Sequence, residues 1–181
     1  ELEVMLDMLR ILGHHPQYPL DFAYPSYHKQ QNKAAPFIVY FNGASQQSKM
    51  YPTTEQTELL EQAILSLPNY QHVFLEGLNS REKGGFLQRL TPHANFAIQP
   101  CLDLKALTLL LSQASLVVST DTGIRNLAIA THTPTVGIFY STVPFRYTPS
   151  GGRHHIVMNA DARLPSPEQV LTEMQSVLAR K

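Results

Sequence analysis

The chain has 181 residues, in which 14 basic side chains balance 14 acidic ones, so its formal net charge at pH 7 is zero. This length suits one domain, or one domain with an appendage, that buries a sizeable core. The charge balance argues against nucleic acid as a partner, and no apolar run approaches the ~18–20 residues of a membrane-spanning helix. The single cysteine, Cys101, excludes a disulfide framework and a thiolate metal cluster. It fits a reducing compartment, so we expect a cytoplasmic protein.

Residues 1–12 predict a short amphipathic helix, because leucine and methionine recur there at helical spacing and Gly13 ends the segment. Residues 14–35 contain three prolines and predict an irregular connector. A helix and a proline-rich connector ahead of a compact domain are typical of an interdomain linker. The chain begins with Glu1 and not with Met, so we expect a fragment or a processed product.

From residue 36 onwards, short apolar segments alternate with amphipathic ones. The predicted strands lie at 37–41, 71–75, 95–99, 116–118, 135–139 and 156–158, and the predicted helices lie at 53–67, 81–90, 104–111, 123–131 and from 167 onwards. The first of these helices begins with a capping box from Thr53 to Gln56, and the last with one from Ser166 to Gln169. This alternation predicts an α/β protein with a Rossmann-like, doubly wound parallel sheet.

The segment after the fourth predicted strand is the most informative part of the chain. Residues 116–118 form an apolar, β-branched run that suits a strand buried on both faces. Groups that cap a helix follow it, in the order Ser119, Thr120, Asp121 and Thr122, and Gly123 allows a close approach to the backbone. The next helix would begin at the carboxyl end of the strand, where its free N–H groups and dipole suit a phosphate. A well-capped turn without a ligand is the plain alternative.

A polar loop at residues 42–52 follows the first strand, and it would meet this turn at the same edge of the sheet. It offers hydroxyl groups and the charge of Lys49 to a phosphate. It contains neither a P-loop nor a G-x-G-x-x-G motif. The chain also lacks an Asp-x-Asp pair, so we expect fixed donors and not a metal ion to neutralise a bound diphosphate.

Three motifs in this order resemble the donor-binding half of the family 9 glycosyltransferases, the heptosyltransferases that build the inner core of bacterial lipopolysaccharide. They are Gly43-Ala44-Ser45 with Lys49-x-Tyr51-Pro52, then Ser119-x-Asp121-Thr122-Gly123, then Pro134-x-Val136 through Phe139 to Thr142-x-Pro144. The resemblance covers about residues 36–145. It implies the C-terminal half of a GT-B enzyme, in which residues 1–13 are a bridging helix from a missing N-terminal domain, 14–35 a linker, and 36–181 the Rossmann-like domain that binds the nucleotide sugar.

The resemblance also implies an activity. The full-length protein would be an inverting, metal-independent glycosyltransferase that needs no cofactor and takes an ADP-activated heptose as donor. The missing N-terminal domain would hold the lipopolysaccharide core acceptor and supply the Asp that acts as general base, so we expect this chain alone to be inactive. The implied location is the cytoplasm, with peripheral association with the inner membrane.

Individual roles follow from matching positions. Lys49 would stabilise the leaving diphosphate, which is the catalytic role assigned to this chain. The other substrate-binding residues implied are Ala44 and Ser45 at the phosphates, Leu102 at the adenine, Asp121 at the sugar hydroxyls, Thr122 and Gly123 at the diphosphate, and Asn126. The loop at Glu76–Asn79 would lie near the ribose.

The chain departs from the family pattern at three positions. Asn126 stands where the pattern has His, Tyr51 where it has Trp, and Tyr140 where it has Gly. These differences leave two alternatives open. One is a GT-B domain for another nucleotide sugar, and the other is a Rossmann-like binding domain that has lost its activity.

Overall fold

The computed structural model describes residues 2–17, 35–144, 148–149 and 152–180, so most of the predicted linker lies outside the described residues. The helices are α1 (Leu2–Ile11), α2 (Thr53–Ser66), α3 (Leu104–Gln113), α4 (Gly123–Ala130) and α5 (Pro167–Ala179). The strands are β1 (Phe37–Phe41), β2 (Gln71–Leu75), β3 (Phe96–Gln99), β4 (Leu116–Thr120), β5 (Thr135–Ile138) and β6 (His154–Val157).

The six strands form one sheet in the order β3-β2-β1-β4-β5-β6, and every neighbouring pair is parallel. This confirms the predicted Rossmann-like α/β fold. The chain moves outward from β1 in one direction and from β4 in the other, so the order reverses between these two strands. In open sheets of this kind, ligands bind outside the carboxyl ends of the strands at such a switch point.

Helices cover both faces of the sheet, and β1 shows how the sequence specifies this. Ile38 and Tyr40 belong to a core cluster with α2 and α5, whereas Val39 and Phe41 belong to a second cluster with α3 and α4. Successive side chains of a strand point to opposite faces, so an unbroken apolar run supplies both cores. No helix among the described residues is long and apolar enough to cross a membrane.

Two local predictions are wrong. Residues 81–90 form two 3₁₀ segments, Ser80–Glu82 and Gly84–Leu90, and not an α-helix. The extended backbone of Lys83 separates them, and Gly84 and Gly85 favour a regular helix poorly. The predicted capping box at Thr53 is also absent, because Pro52 holds the N-cap position and Thr53 is the first helical residue. The box from Ser166 to Gln169 is confirmed.

The buried face of β2 carries a histidine, which predicts a stability that depends on pH. His72 Nδ1 lies 2.8 Å from the hydroxyl of Tyr40, and Nε2 lies 3.2 Å from the carbonyl oxygen of Leu67. A carbonyl only accepts, so Nε2 carries the proton and Nδ1 accepts from Tyr40. Burial lowers the pKa of His72 from its usual 6.5, and burial followed by the charge of Arg125 lowers the pKa of His154 to about 4.

Unfolded histidines with a pKa near 6.5 take up protons that the folded ones resist, so acid favours unfolding. We expect the free energy of unfolding to fall as the pH drops below about 6.5, by at most ~1.4 kcal/mol per pH unit for each histidine. Urea unfolding at pH 7.5 and 5.5 measures this. The double variant Tyr40→Phe/His72→Leu should reduce the loss, while His93→Gln, at an exposed position, should not. Equal wild-type stability at the two pH values would refute the prediction.

Candidate functional site

Three loops meet at the carboxyl edge of the sheet, because β4 pairs with β1 on one side and with β5 on the other. The loop after β1 is tied to the end of β4 by a 2.7 Å hydrogen bond from Thr120 Oγ1 to the Gly43 carbonyl. It is tied to the loop after β5 by the hydroxyl of Tyr140, which donates to the carbonyl of Met50. The structure therefore brings together the loops that carry Lys49 and Asp121.

The loop after β1 is anchored at both ends. The buried Asn42 amide donates to the Tyr51 carbonyl at 2.7 Å and accepts from the Tyr51 amide at 3.0 Å. A Cβ at Gly43 would lie 2.5 Å from the ring of Phe41, so any larger residue there would have to displace that ring. Between these anchors Ala44 is half-buried, Ser45 is exposed, and the half-buried Lys49 ends a 3₁₀ turn.

In the turn after β4, Thr122 and Asp121 have different structural roles, which the sequence alone did not distinguish. Thr122 is the N-cap of α4: its hydroxyl accepts from the Arg125 amide at 3.3 Å and lies 2.9 Å from Ser119 Oγ. The carboxylate of Asp121 is half-buried and has no hydrogen-bond partner among the described residues. Asp121 is thus not the helix cap.

The first turn of α4 faces open space. A Cβ at Gly123 would have no heavy atom within 4 Å, so this glycine leaves room above the helix. The first N–H groups of a helix have no partner inside it. Within the described residues, the amides of Gly123 and Ile124 have no acceptor. These donors, at the positive end of the helix dipole, can bind an anion.

The remaining predicted residues lie at the margins of this group. Asn126 is exposed on α4. Leu102 follows β3, is half-buried, and packs against the core cluster of α3 and α4. In the sheet, β2 separates β3 from β1, so Leu102 is at the same edge but at a distance from Lys49.

Tyr51 and Tyr140, which depart from the pattern described in the sequence analysis, both make polar contacts. The Tyr51 hydroxyl donates to the Pro165 carbonyl at 2.8 Å, which joins the loop to the start of α5. Tyr140 is half-buried and, as described, bonds to Met50. Burial raises the pKa of both tyrosines, so their hydroxyls stay protonated at neutral pH and can donate.

Arg125 was given no role by the sequence analysis, yet it is fully buried beside this site. Its Nη2 donates to Thr148 Oγ1 at 3.1 Å, and its guanidinium carbon lies 5.2 Å from the centre of the Phe139 ring. Among the described residues, its Nε and Nη1 have no hydrogen-bond partner. One available signal was an arginine three residues before the buried Ala128, on the side of α4 that faces the sheet.

The described residues hold no group of three or more His, Cys, Asp or Glu side chains that could bind a metal ion. The groups at this edge that are able to interact with an anion include the side chain of Lys49, hydroxyl groups and the amides of α4.

Comparison with solved structures defines the class of fold. E. coli heptosyltransferase WaaC with ADP-2-deoxy-2-fluoro heptose is 22% identical, with a TM-score of 0.73 over 92% of this chain and 52% of that one. E. coli ADP-heptose lipopolysaccharide heptosyltransferase II is 18% identical, with a TM-score of 0.71 over 91% of this chain and 56% of that one. A family 9 glycosyl transferase from Veillonella parvula is 16% identical, with a TM-score of 0.67 over 82% of this chain and 48% of that one. The chain thus has the fold of one half of a GT-B glycosyltransferase and spans about half the length of these structures.

The family follows from the sequence itself. The sequence model of glycosyltransferase family 9 (heptosyltransferase) matches residues 9–176, which is most of the chain. The chain belongs to this family of glycosyltransferases. Among curated proteins, none matches it significantly.

Proposed function

We propose that this chain binds the nucleotide-sugar donor of an inverting, metal-independent glycosyltransferase, and that the donor is an ADP-activated heptose or a close relative. The observation that carries the proposal is the open first turn of α4, whose amides at Gly123 and Ile124 have no acceptor among the described residues. Because Thr120 ties this turn's strand to the loop of Lys49, one diphosphate could contact both. The solved E. coli WaaC structures contain ADP or ADP-2-deoxy-2-fluoro heptose, which supports this ligand class.

In this proposal each residue has a chemical task. Lys49 neutralises the diphosphate as it leaves, the amides of the α4 turn and the hydroxyl groups of Ser45 and Thr122 donate to its oxygens, and the backbone at Ala44 lies against it. Fixed donors of this kind stabilise a developing charge without reorganising. Asp121, whose carboxylate has no hydrogen-bond partner among the described residues, accepts from sugar hydroxyls, with Asn126 nearby. Leu102 packs against the adenine.

The rest of the activity would come from a further domain. We propose that α1 bridges to an N-terminal domain that carries the general base and binds the lipopolysaccharide core acceptor. The apolar side chains of Met8, Ile11 and Leu12 are 61%, 84% and 74% exposed, and such a domain would cover them. We further propose that residues 14–35 are the linker, that 36–181 bind the donor, and that the enzyme works in the cytoplasm at the inner membrane.

Titration calorimetry tests which nucleoside diphosphate the site prefers. We expect ADP to bind the full-length protein, and UDP and GDP to bind more weakly. A preference for UDP or GDP would favour a GT-B domain for another nucleotide sugar, an alternative that the ring of Tyr140 keeps open. Binding of ADP without any transfer by the full-length protein would favour a binding domain. The chain alone should transfer no sugar, since loss of a general base costs about 10²–10⁴ in rate.

Metal independence is tested with the same titration. We expect EDTA to leave ADP affinity unchanged, because Lys49, the hydroxyl groups and the helix amides meet the diphosphate charge. Added Mg²⁺ should likewise change the dissociation constant by less than about twofold. Loss of ADP binding in EDTA, and its recovery with Mg²⁺, would contradict this prediction.

A further inference from the structure

We propose that the buried guanidinium of Arg125 supplies a second positive charge to the diphosphate site and acts on the bound anion through the protein interior without touching it. This inference rests on the proposed function, because it takes the ligand of the α4 turn to be a nucleoside diphosphate. It adds a residue for which the resemblance implies no role.

The position of Arg125 directs its charge toward the site. It lies in the first turn of α4, three residues after the cap Thr122, and side chains of a helix tilt toward its N-terminus. Its guanidinium reaches Phe139 and Thr148, which both follow the end of β5. Its Nε lies against Gly137, the third of the four residues of β5. The charge is therefore over the carboxyl half of β5, near enough to Asp121 for that carboxylate to act on the pKa of Arg125.

The protein compensates the charge only in part, through the carboxylate of Asp121 and the ring of Phe139. Among the described residues no carboxylate bonds to it, and its Nε and Nη1 have no partner. Residues 139–153 contain two arginines and no acidic residue. The dipole of α4 is positive at this end, which disfavours a cation there. Burying a cation near the positive end of a helix dipole is energetically unfavourable. An anion bound at the first turn of α4 would reduce this unfavourable energy.

The guanidinium nevertheless stays charged. Burial lowers the pKa of Arg125 to about 10, against a smaller upward effect from Asp121, and this value is still far above neutral pH. The fold also reserves space for the side chain: a Cβ at Gly137 would lie 2.6 Å from Arg125 Nε. Because the surroundings are poorly polarisable, the charge is screened less than a surface charge at the same distance would be.

A purely structural role of Arg125 predicts a different response of ligand binding to its substitution. If Arg125 only packed α4 against Phe139 and Thr148, its loss would lower stability and weaken all ligands alike. If its charge acts on the diphosphate, its loss weakens ligands in proportion to their charge. A neutral side chain of similar length separates the two, and lysine keeps the charge while losing the planar contacts.

The test uses the full-length protein and the variants Arg125→Met and Arg125→Lys, with ADP, pyrophosphate and adenosine titrated by calorimetry and melting temperatures recorded. We expect Arg125→Met to weaken ADP and pyrophosphate by about 3- to 30-fold, to leave adenosine within twofold, and Arg125→Lys to restore most of the loss. Equal affinities of wild type and Arg125→Met for both anions, or an equal loss for adenosine, would overturn the inference. Wild-type protein that binds pyrophosphate and no nucleoside diphosphate would overturn the proposed function and leave the inference testable on pyrophosphate.

A second measurement applies even if Arg125→Met does not fold. The buried Nε–H of Arg125 should give a protected ¹⁵N resonance in the wild type, assigned by its loss in Arg125→Lys. ADP and pyrophosphate should shift this resonance and adenosine should not. A resonance that does not respond to either anion would overturn the inference.

Discussion

Replacing Lys49 with alanine should weaken ADP binding by about 10- to 150-fold, because a hydrogen bond to a charged group contributes ~1.5–3 kcal/mol and 1.4 kcal/mol is a factor of ten. Lys49 is suited to this task by its loop. The neighbouring Met50 carbonyl accepts from Tyr140, and Asn42 holds both polar groups of the Tyr51 backbone. The lysine therefore extends from a segment that is already ordered, and binding loses little backbone entropy.

Calorimetry with ADP and adenosine measures this effect. Adenosine has no phosphate, so Lys49→Ala should leave its affinity within about twofold. Arg89→Ala is the matched control, because Arg89 is an exposed cation, paired with Glu61 at 2.8 Å, outside the three loops. It should leave both ligands unchanged. Wild-type ADP affinity in Lys49→Ala would remove Lys49 from the diphosphate site.

The sheet was predictable because most of its strands are short, mainly apolar runs. Phe37–Phe41 and Gln71–Leu75 have the predicted bounds, since buried parallel strands leave a strong apolar signal. The last strand was placed at 156–158 and lies at His154–Val157. Its first two residues are histidines at the edge of the sheet, where burial, and with it the apolar pattern, is weaker.

The failures in local structure depend on which group a backbone position pairs with, and residue spacing does not reveal this. Gly84 donates its amide to the carboxylate of Glu76 at 2.8 Å, at the start of a 3₁₀ segment where an α-helix was predicted. Thr53 matches a capping pattern, but its side chain caps nothing. Patterns of spacing carry no information on such competing partners.

Some features of the candidate site were likewise predictable from the sequence, and others were not. Motif order and topology predicted that the loops of Lys49 and Asp121 would meet, because both follow adjacent parallel strands. The buried position of Arg125 could not be predicted, because it depends on Gly137 in β5 and on Phe139 and Thr148 beyond the end of that strand. Nor could the sequence decide which of Asp121 and Thr122 caps α4, since both residue types are good N-caps.

Replacing Asp121 with alanine should weaken an ADP-sugar by about 10- to 150-fold, from the loss of charge-assisted hydrogen bonds to sugar hydroxyls, and should not weaken ADP. Removing a carboxylate near the diphosphate lessens repulsion, so ADP binding should be unchanged or tighter. The melting temperature should hold, because Thr122 and not Asp121 caps α4. Calorimetry measures the affinities for ADP-heptose and ADP, and thermal unfolding measures the melting temperature.

Variants of two helix caps, one at the site and one away from it, separate effects on ligand binding from effects on stability. Thr122→Ala should cost about 1 kcal/mol of stability and weaken ADP as well, because the amides of the α4 turn lose their fixed positions. Ser166→Ala removes the cap of α5, whose hydroxyl accepts from the Gln169 amide, at a similar cost in stability and with no change in either ligand. If Asp121→Ala instead lowered the melting temperature and weakened both ligands equally, the carboxylate would be supporting the turn. Asp121 would then have no part in binding the sugar.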